Sequence, residues 1–115
     1  MDNSMDNSKM KAAVLYGVHD VRVEEVDMPI LERDDEVIVK LKATGVCPTD
    51  VRKYSGLSSP TKGFPAILGH EGSGVIAKVG EIAKKYINEG QRVAIMPDWP
   101  CGYCESCRLG KTVEI

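Results

Sequence analysis

The stretch Leu68-Gly69-His70-Glu71-Gly72-Ser73-Gly74-Val75-Ile76-Ala77-Lys78-Val79-Gly80 decides the fold. Two readings compete for it. Gly72, Gly74 and Ala77 match the form G-x-G-x-x-A, and Asp98 follows at about the spacing of the acidic residue that holds a ribose. A dinucleotide fingerprint of that kind needs a strand before the glycines and a helix after them. Here Val75, Ala77 and Val79 alternate with Ile76 and Lys78, which is the period of a strand. The match to the fingerprint is therefore read as chance, and a strand running into Gly80 is expected.

Outward from this stretch, the chain continues as short strands between turn signals. Residues 11–16 form an apolar run that ends at Gly17, and Val21, Val23 and Val26 suggest a second strand before Pro29. Val37, Val39 and Leu41 alternate with Ile38, Lys40 and Lys42, again with period two. Residues 92–96 read as a further strand, opened by Gly90 and closed by Pro97. Residues 48–54 read as one short helix, with Pro48 in the first turn and Gly56 past the end. Residues 56–65 are rich in Ser, Gly and Pro and read as a loop. Strands at short spacing without alternating helices imply a mainly β fold, a small barrel or sandwich rather than a parallel βαβ sheet.

At 115 residues the chain fits one domain. Its first eight residues repeat Met-Asp-Asn-Ser, too short and polar to pack. Residues 1–8 are expected to be a disordered arm or an artefact of expression, with order beginning near Lys9. A net charge of -2 with mixed signs argues against nucleic acid, which calls for clustered Lys and Arg. The apolar runs are far too short to span a membrane, and the N-terminus lacks the apolar core of a signal peptide. A reducing, cytoplasmic setting is expected. It agrees with the four cysteines, of which Cys47 stands alone and Cys101, Cys104 and Cys107 cluster. Clustering at this spacing reads as metal or redox chemistry rather than a disulfide scaffold.

Three segments carry chemistry. His70 offers an imidazole for metal or proton transfer, and Glu71 a carboxylate beside it. Taken alone, the pair is an ordinary polar turn. Cys47 follows a strand, where its side chain can face a cleft; a lone cysteine is more often inert and buried. Thr49 and Asp50 suit chemistry, but also simply start helices well. The third segment is Cys101-Gly102-Tyr103-Cys104-Glu105-Ser106-Cys107. With Trp99 and Pro100 it offers a thioredoxin-like redox loop, yet no βαβ context surrounds it. A third cysteine at the same spacing fits a metal knuckle better.

Taken together, the first two segments resemble the zinc-dependent medium-chain alcohol and polyol dehydrogenases. Gly69, His70, Glu71, Gly74 and Gly80 fit that family's Gly-His-Glu pattern, and Ala83 fits the small position beyond it. Cys47, Thr49 and Asp50 fit its Cys-x-Ser/Thr-Asp pattern. Two motifs in the right order are far more specific than either alone. The resemblance implies a GroES-like β-barrel with one or two short helices and a cysteine-rich loop. It implies that Cys47 and His70 ligate a catalytic zinc, with Glu71 near the metal, tuning or transiently ligating it. Thr49 would begin a proton relay, and Asp50 would accept a hydrogen bond from the imidazole and fix its tautomer. The zinc would act as a Lewis acid on an alcohol substrate.

The resemblance also makes Cys101, Cys104 and Cys107 ligands of a structural zinc, whose fourth ligand falls at Ile115. Isoleucine cannot ligate. Water, Glu114 or the terminal carboxylate would have to substitute, so an impaired site is expected. NAD(P) would bind a Rossmann domain beyond residue 115, which also supplies a further zinc ligand. The domain assigned to residues 9–115 is thus expected to bind zinc and substrate for an NAD(P)-dependent alcohol or polyol oxidoreductase, and to be inactive alone. Homo-oligomers through an exposed apolar cleft are expected. A non-catalytic zinc-binding module and a structural fragment remain the alternatives.

Overall fold

The computed structural model describes residues 8–98 and 100–111. The arm assigned to residues 1–8, apart from Ser8, lies outside the described residues, as do Trp99, Glu114 and Ile115. Among the described residues, six strands and two short helices follow one another, in agreement with a mainly β chain. They are β1 (Lys9–Gly17), β2 (Asp20–Asp27), β3 (Val37–Thr44), α1 (Pro48–Tyr54), β4 (Ala66–Ile67), β5 (Gly72–Val79), β6 (Arg92–Ala94) and α2 (Glu105–Arg108). A single 3-10 turn, Ala83–Lys85, separates β5 from β6.

The strands form two antiparallel sheets, ordered β2-β1-β4 and β3-β5-β6. In the first, β1 and β2 form a hairpin with Lys9 opposite Asp27 and Leu15 opposite Val21. At its tip His19 takes a positive φ of 57°. Its N–H donates to the Tyr54 carbonyl over 2.9 Å, and the two rings lie 5.0 Å apart. The hairpin tip is thereby tied to the end of α1. Val14 and Leu15 are the buried side chains of this sheet. Burying a leucine fully contributes about 1.5–3 kcal/mol.

In the second sheet, Val37 pairs with Val79 and Thr44 with Gly72, with irregularities at Ile38/Val39 and Leu41/Ala43. Ile76, Val79 and Ala83 form its buried cluster, and Val37, Val39, Ile87 and Val93 pack against it. The inward face of β5 is not the expected Val75, Ala77 and Val79. Gly74, Ile76 and Val79 are buried and Ala77 is exposed, because the pairing slips by one residue at Ala77, between Ile38 and Val39 of β3. Gly74 serves close backbone approach. A Cβ there would lie 2.1 Å from the Lys40 carbonyl oxygen, so the strands could not meet.

The structure extends or trims several sequence expectations. The stretch after Gly72 is a strand, so the dinucleotide reading of the glycines is excluded. That strand begins at Gly72 rather than Val75, because Thr44 continues to pair with it. β6 stops at Ala94, two residues short of the expected end at Met96. Its ladder covers only Ser73 to Val75 of β5, although Ile95 still donates to the Gly72 carbonyl. β4 has only two residues, too few to leave a periodic signal.

Candidate metal centres

The first centre is assembled by the β3-β5 ladder. Thr44 pairs with Gly72, and one residue further on the Gly45 N–H donates to the Glu71 carbonyl over 3.1 Å. The chain leaving β3 therefore runs beside the chain entering β5. The first carries Cys47 and the second carries His70 and Glu71. Gly69 adopts a φ of +114°, a conformation suited to glycine, and so turns the chain into His70.

Cys47 stands at the N-cap of α1 in an extended conformation, followed by Pro48 in the first turn. Its N–H donates to Asp50 Oδ2 over 3.1 Å. The carboxylate reaching back in this way is half of a capping box, and it suits the positive end of the helix. The same helix start thus fixes the cysteine. Asp50 is 9% exposed, and its Oδ1 is buried without a hydrogen-bond partner. The sequence assigned this carboxylate to the imidazole; the structure seats one oxygen on the Cys47 N–H and leaves the other open. Thr49 lies exposed in the same first turn.

A sulfur of Cys47, an imidazole nitrogen of His70 and a carboxylate oxygen of Glu71 all lie within 4.8 Å of one another. Cys47 and His70 are half-buried and Glu71 is exposed. Ligands around a tetrahedral zinc sit roughly 3.5 Å apart, given bonds of about 2.0–2.3 Å. From separations of up to 4.8 Å, the set needs to contract by about 1.3 Å at most. Thiolate, imidazole and carboxylate are the donors zinc takes, and three of them leave a fourth position open. The residues fit the ion. Asp50, whose Oδ2 holds the Cys47 N–H, keeps its buried Oδ1 without a partner, and a buried acceptor of this kind calls for a donor.

An apolar groove of about 440 Å³ adjoins this centre. Leu15, Val21, Val46, Val51, Tyr54 and Leu68 line it, and Asp50 forms part of its wall. Val46 and Val51 are more than half exposed along it.

The second centre is local. Sulfur atoms of Cys101, Cys104 and Cys107 lie within 4.8 Å of one another, with Cys101 and Cys107 3.8 Å apart. All four cysteines are free thiols. Each of these three sulfurs accepts a backbone N–H: Cys101 from Cys104 over 3.3 Å, Cys104 from Cys107 over 3.4 Å, and Cys107 from Gly102 over 3.3 Å. The bond from Cys107 to Cys104 also caps the four-residue α2. The Tyr103 and Cys104 backbone groups, with help from the neighbouring thiols, bring Cys101 down to about 7. At Cys107 the Gly102 N–H pulls downward, but burial and the thiols of Cys104 and Cys101 outweigh it and raise the group. Three sulfurs this close, one of them readily ionised, offer a metal ion three donors, one more than a two-cysteine redox pair has.

Sequence reasoning named every residue of both clusters but not the part played by Gly45, whose lack of a side chain leaves room for Glu71. The signal was present as a glycine two residues before Cys47.

The alcohol dehydrogenase GroES-like domain profile matches residues 33–114. Sorbitol dehydrogenase of Bombyx mori is 42% identical over 102 residues, covering 87% of this chain and 29% of the relative. Among solved structures, galactitol-1-phosphate dehydrogenase from Escherichia coli aligns with a TM-score of 0.79 and 34% identity, over 87% of this chain and 28% of that one. A chain from Sinorhizobium meliloti 1021, described as a zinc-binding dehydrogenase and solved with NADP, aligns with a TM-score of 0.79 and 34% identity, over 91% and 30%. The chain spans less than a third of the length of these relatives. With its GroES-like profile, its paired motifs and these relatives, the chain belongs to the zinc-dependent medium-chain alcohol dehydrogenase family.

Proposed function

We propose that this chain is the zinc- and substrate-binding domain of an NAD(P)-dependent alcohol or polyol oxidoreductase. The observation that carries the reading is the convergence of Cys47, His70 and Glu71, from two separate segments, within 4.8 Å. Cys47 and His70 hold a catalytic zinc and Glu71 sits as a third donor. Zinc bound there supplies Lewis-acid polarisation of an alcohol oxygen. Asp50 uses Oδ2 to fix the Cys47 backbone and keeps Oδ1 for the imidazole N–H, which sets the tautomer of His70. Thr49 begins the relay that carries the alcohol proton to water. The groove beside the centre shields the carbon chain of the substrate.

Cys101, Cys104 and Cys107 hold a second zinc of structural kind, impaired because the fourth ligand position falls at Ile115, whose side chain has no donor atom. NAD(P) binding is assigned outside this domain, so zinc and substrate bind here while hydride transfer needs the cofactor held against them. The open groove is also the proposed contact between two copies of the chain. Light scattering that shows only monomers at high concentration contradicts this contact.

The test of the function is direct. Cobalt(II) replaces zinc and gives a visible spectrum that reports its ligands. Sorbitol added to the cobalt-loaded chain is expected to shift that spectrum, and Cys47→Ala is expected to abolish the shift. An unshifted spectrum with sorbitol and with simple alcohols alike refutes substrate binding at this centre.

A further inference from the structure

We propose that Gly45 is a positioning residue for the first metal centre: the space left by its missing side chain is where the Glu71 carboxylate lies. This rests on reading Cys47, His70 and Glu71 as a zinc site. A Cβ on Gly45 would come within contact of three Glu71 atoms, 2.4 Å from Oε2, 3.2 Å from Cβ and 3.3 Å from Cδ. The first of these is far inside van der Waals contact, and the clashing atom is the carboxylate oxygen, the end of a flexible side chain.

The consequence differs from that at Gly74, where a Cβ would meet backbone atoms of Lys40 and Leu41 at 2.1 to 3.0 Å. Backbone cannot step aside, so a side chain at Gly74 breaks the sheet. At Gly45 the carboxylate can rotate away while the strands stay paired. Gly45 has no positive φ to protect, and alanine keeps the N–H that donates to the Glu71 carbonyl. A methyl group at this position therefore leaves the fold and removes one donor from the centre. Gly45 in this way decides whether zinc meets three protein donors here or two. The carboxylate is the exposed member of the set, held by neither burial nor a second strand, so the room beside Gly45 is what keeps it near Cys47 and His70.

The test is a double-mutant cycle read at Cys47 itself. The metal-free chain, with and without Gly45→Ala, is incubated with increasing zinc, and alkylation of Cys47 is followed by mass spectrometry of its peptide. This separates the first centre from the cysteine cluster. Gly45→Ala is expected to raise the zinc concentration that half-protects Cys47 by about 10- to 100-fold, the range for losing a supporting group at a metal site. In a Glu71→Ala background the same substitution is expected to change it by less than about twofold, since the clash is gone. Glu71→Asp, one methylene shorter, is expected to restore part of the loss in the Gly45→Ala chain. An equal shift from Gly45→Ala in both backgrounds overturns the proposal, as does a shift from Glu71→Ala with none from Gly45→Ala. Thermal unfolding of each variant is recorded in parallel. If Gly45→Ala unfolds the chain and Glu71→Ala does not rescue it, Gly45 serves the backbone and the proposal is wrong. If zinc fails to protect Cys47 in the unaltered chain, the zinc-site reading falls and this proposal falls with it.

Discussion

The two candidate metal centres are built on opposite plans. Cys47, His70 and Glu71 come from separate segments that meet only because β3 and β5 pair. Cys101, Cys104 and Cys107 sit within one turn and a four-residue helix, held by N–H to sulfur bonds among themselves. The first centre is a product of the fold, so whatever melts the sheets dissolves it. The second is a product of local chain, and it buries little: Tyr103 is 80% and Leu109 63% exposed. Its order is expected to rest on a bound ion more than on a core. A site that the fold supports can remain arranged without metal, whereas a local knuckle draws its stability from the ion.

The largest expected break in this comparison comes from removing metal. A chelator is expected to make residues 100–111 the first segment cut by protease, with cleavage many-fold faster, while the far-ultraviolet signature of the sheets persists. Equal protection with and without chelator contradicts the plan. Next, Ile76→Ala is expected to cost about 2–5 kcal/mol of stability, as large-to-small changes in a buried cluster do. In urea, zinc protection of Cys47 is then lost at a lower concentration than before, while protection of Cys107 is unchanged. Simultaneous loss at both centres shows that they share one support.

A smaller effect is expected from Ile115→Cys. A fourth thiolate raises zinc affinity at the cluster and slows its cleavage, without altering Cys47. Unchanged zinc content and cleavage refute the structural-zinc reading of the cluster. The smallest effect is one of pH in the metal-free chain. Backbone donors bring Cys101 to about 7, so its thiolate forms above that pH and is lost as pH falls through it. Cys107 is raised and ionises later. Alkylation of Cys101 is therefore expected to reach half its maximal rate near pH 7, ahead of Cys107, and identical profiles contradict the assignment.

Much of this was legible in the sequence, for reasons particular residues show. Val37, Val39 and Leu41, and Val75, Ala77 and Val79, carry the period of two of a strand, so β3 and β5 could be read, but not their inward face. Ile76 is buried while Ala77 and Leu41 are exposed, because the ladder slips at Ala77. The helix after Cys47 announced itself through Pro48 and Asp50. Cys47, His70 and Glu71 were named as a set because their two motifs together resemble one family; taken singly, each residue read as an ordinary turn or a buried cysteine. Register was not legible, since nothing in residues 37–44 says that Thr44 lies against Gly72, and the meeting of Cys47 with His70 follows from that pairing. β4 is too short to show a period. The role of Gly45 depends on where a neighbouring side chain lies, which sequence spacing does not contain. The resemblance implied Asp50 as a partner of the imidazole; the bond it makes, to the Cys47 N–H, emerges only from the helix start.

The central claim is that Cys47 and His70 hold one and the same ion. The most direct test is to load Cys47→Ala, His70→Ala and the double variant with zinc and to count ions per chain by native mass spectrometry. The account predicts that each single variant loses the same one zinc and that the double variant loses no more. A double variant that loses two ions, or single variants that keep their full zinc content, contradicts it.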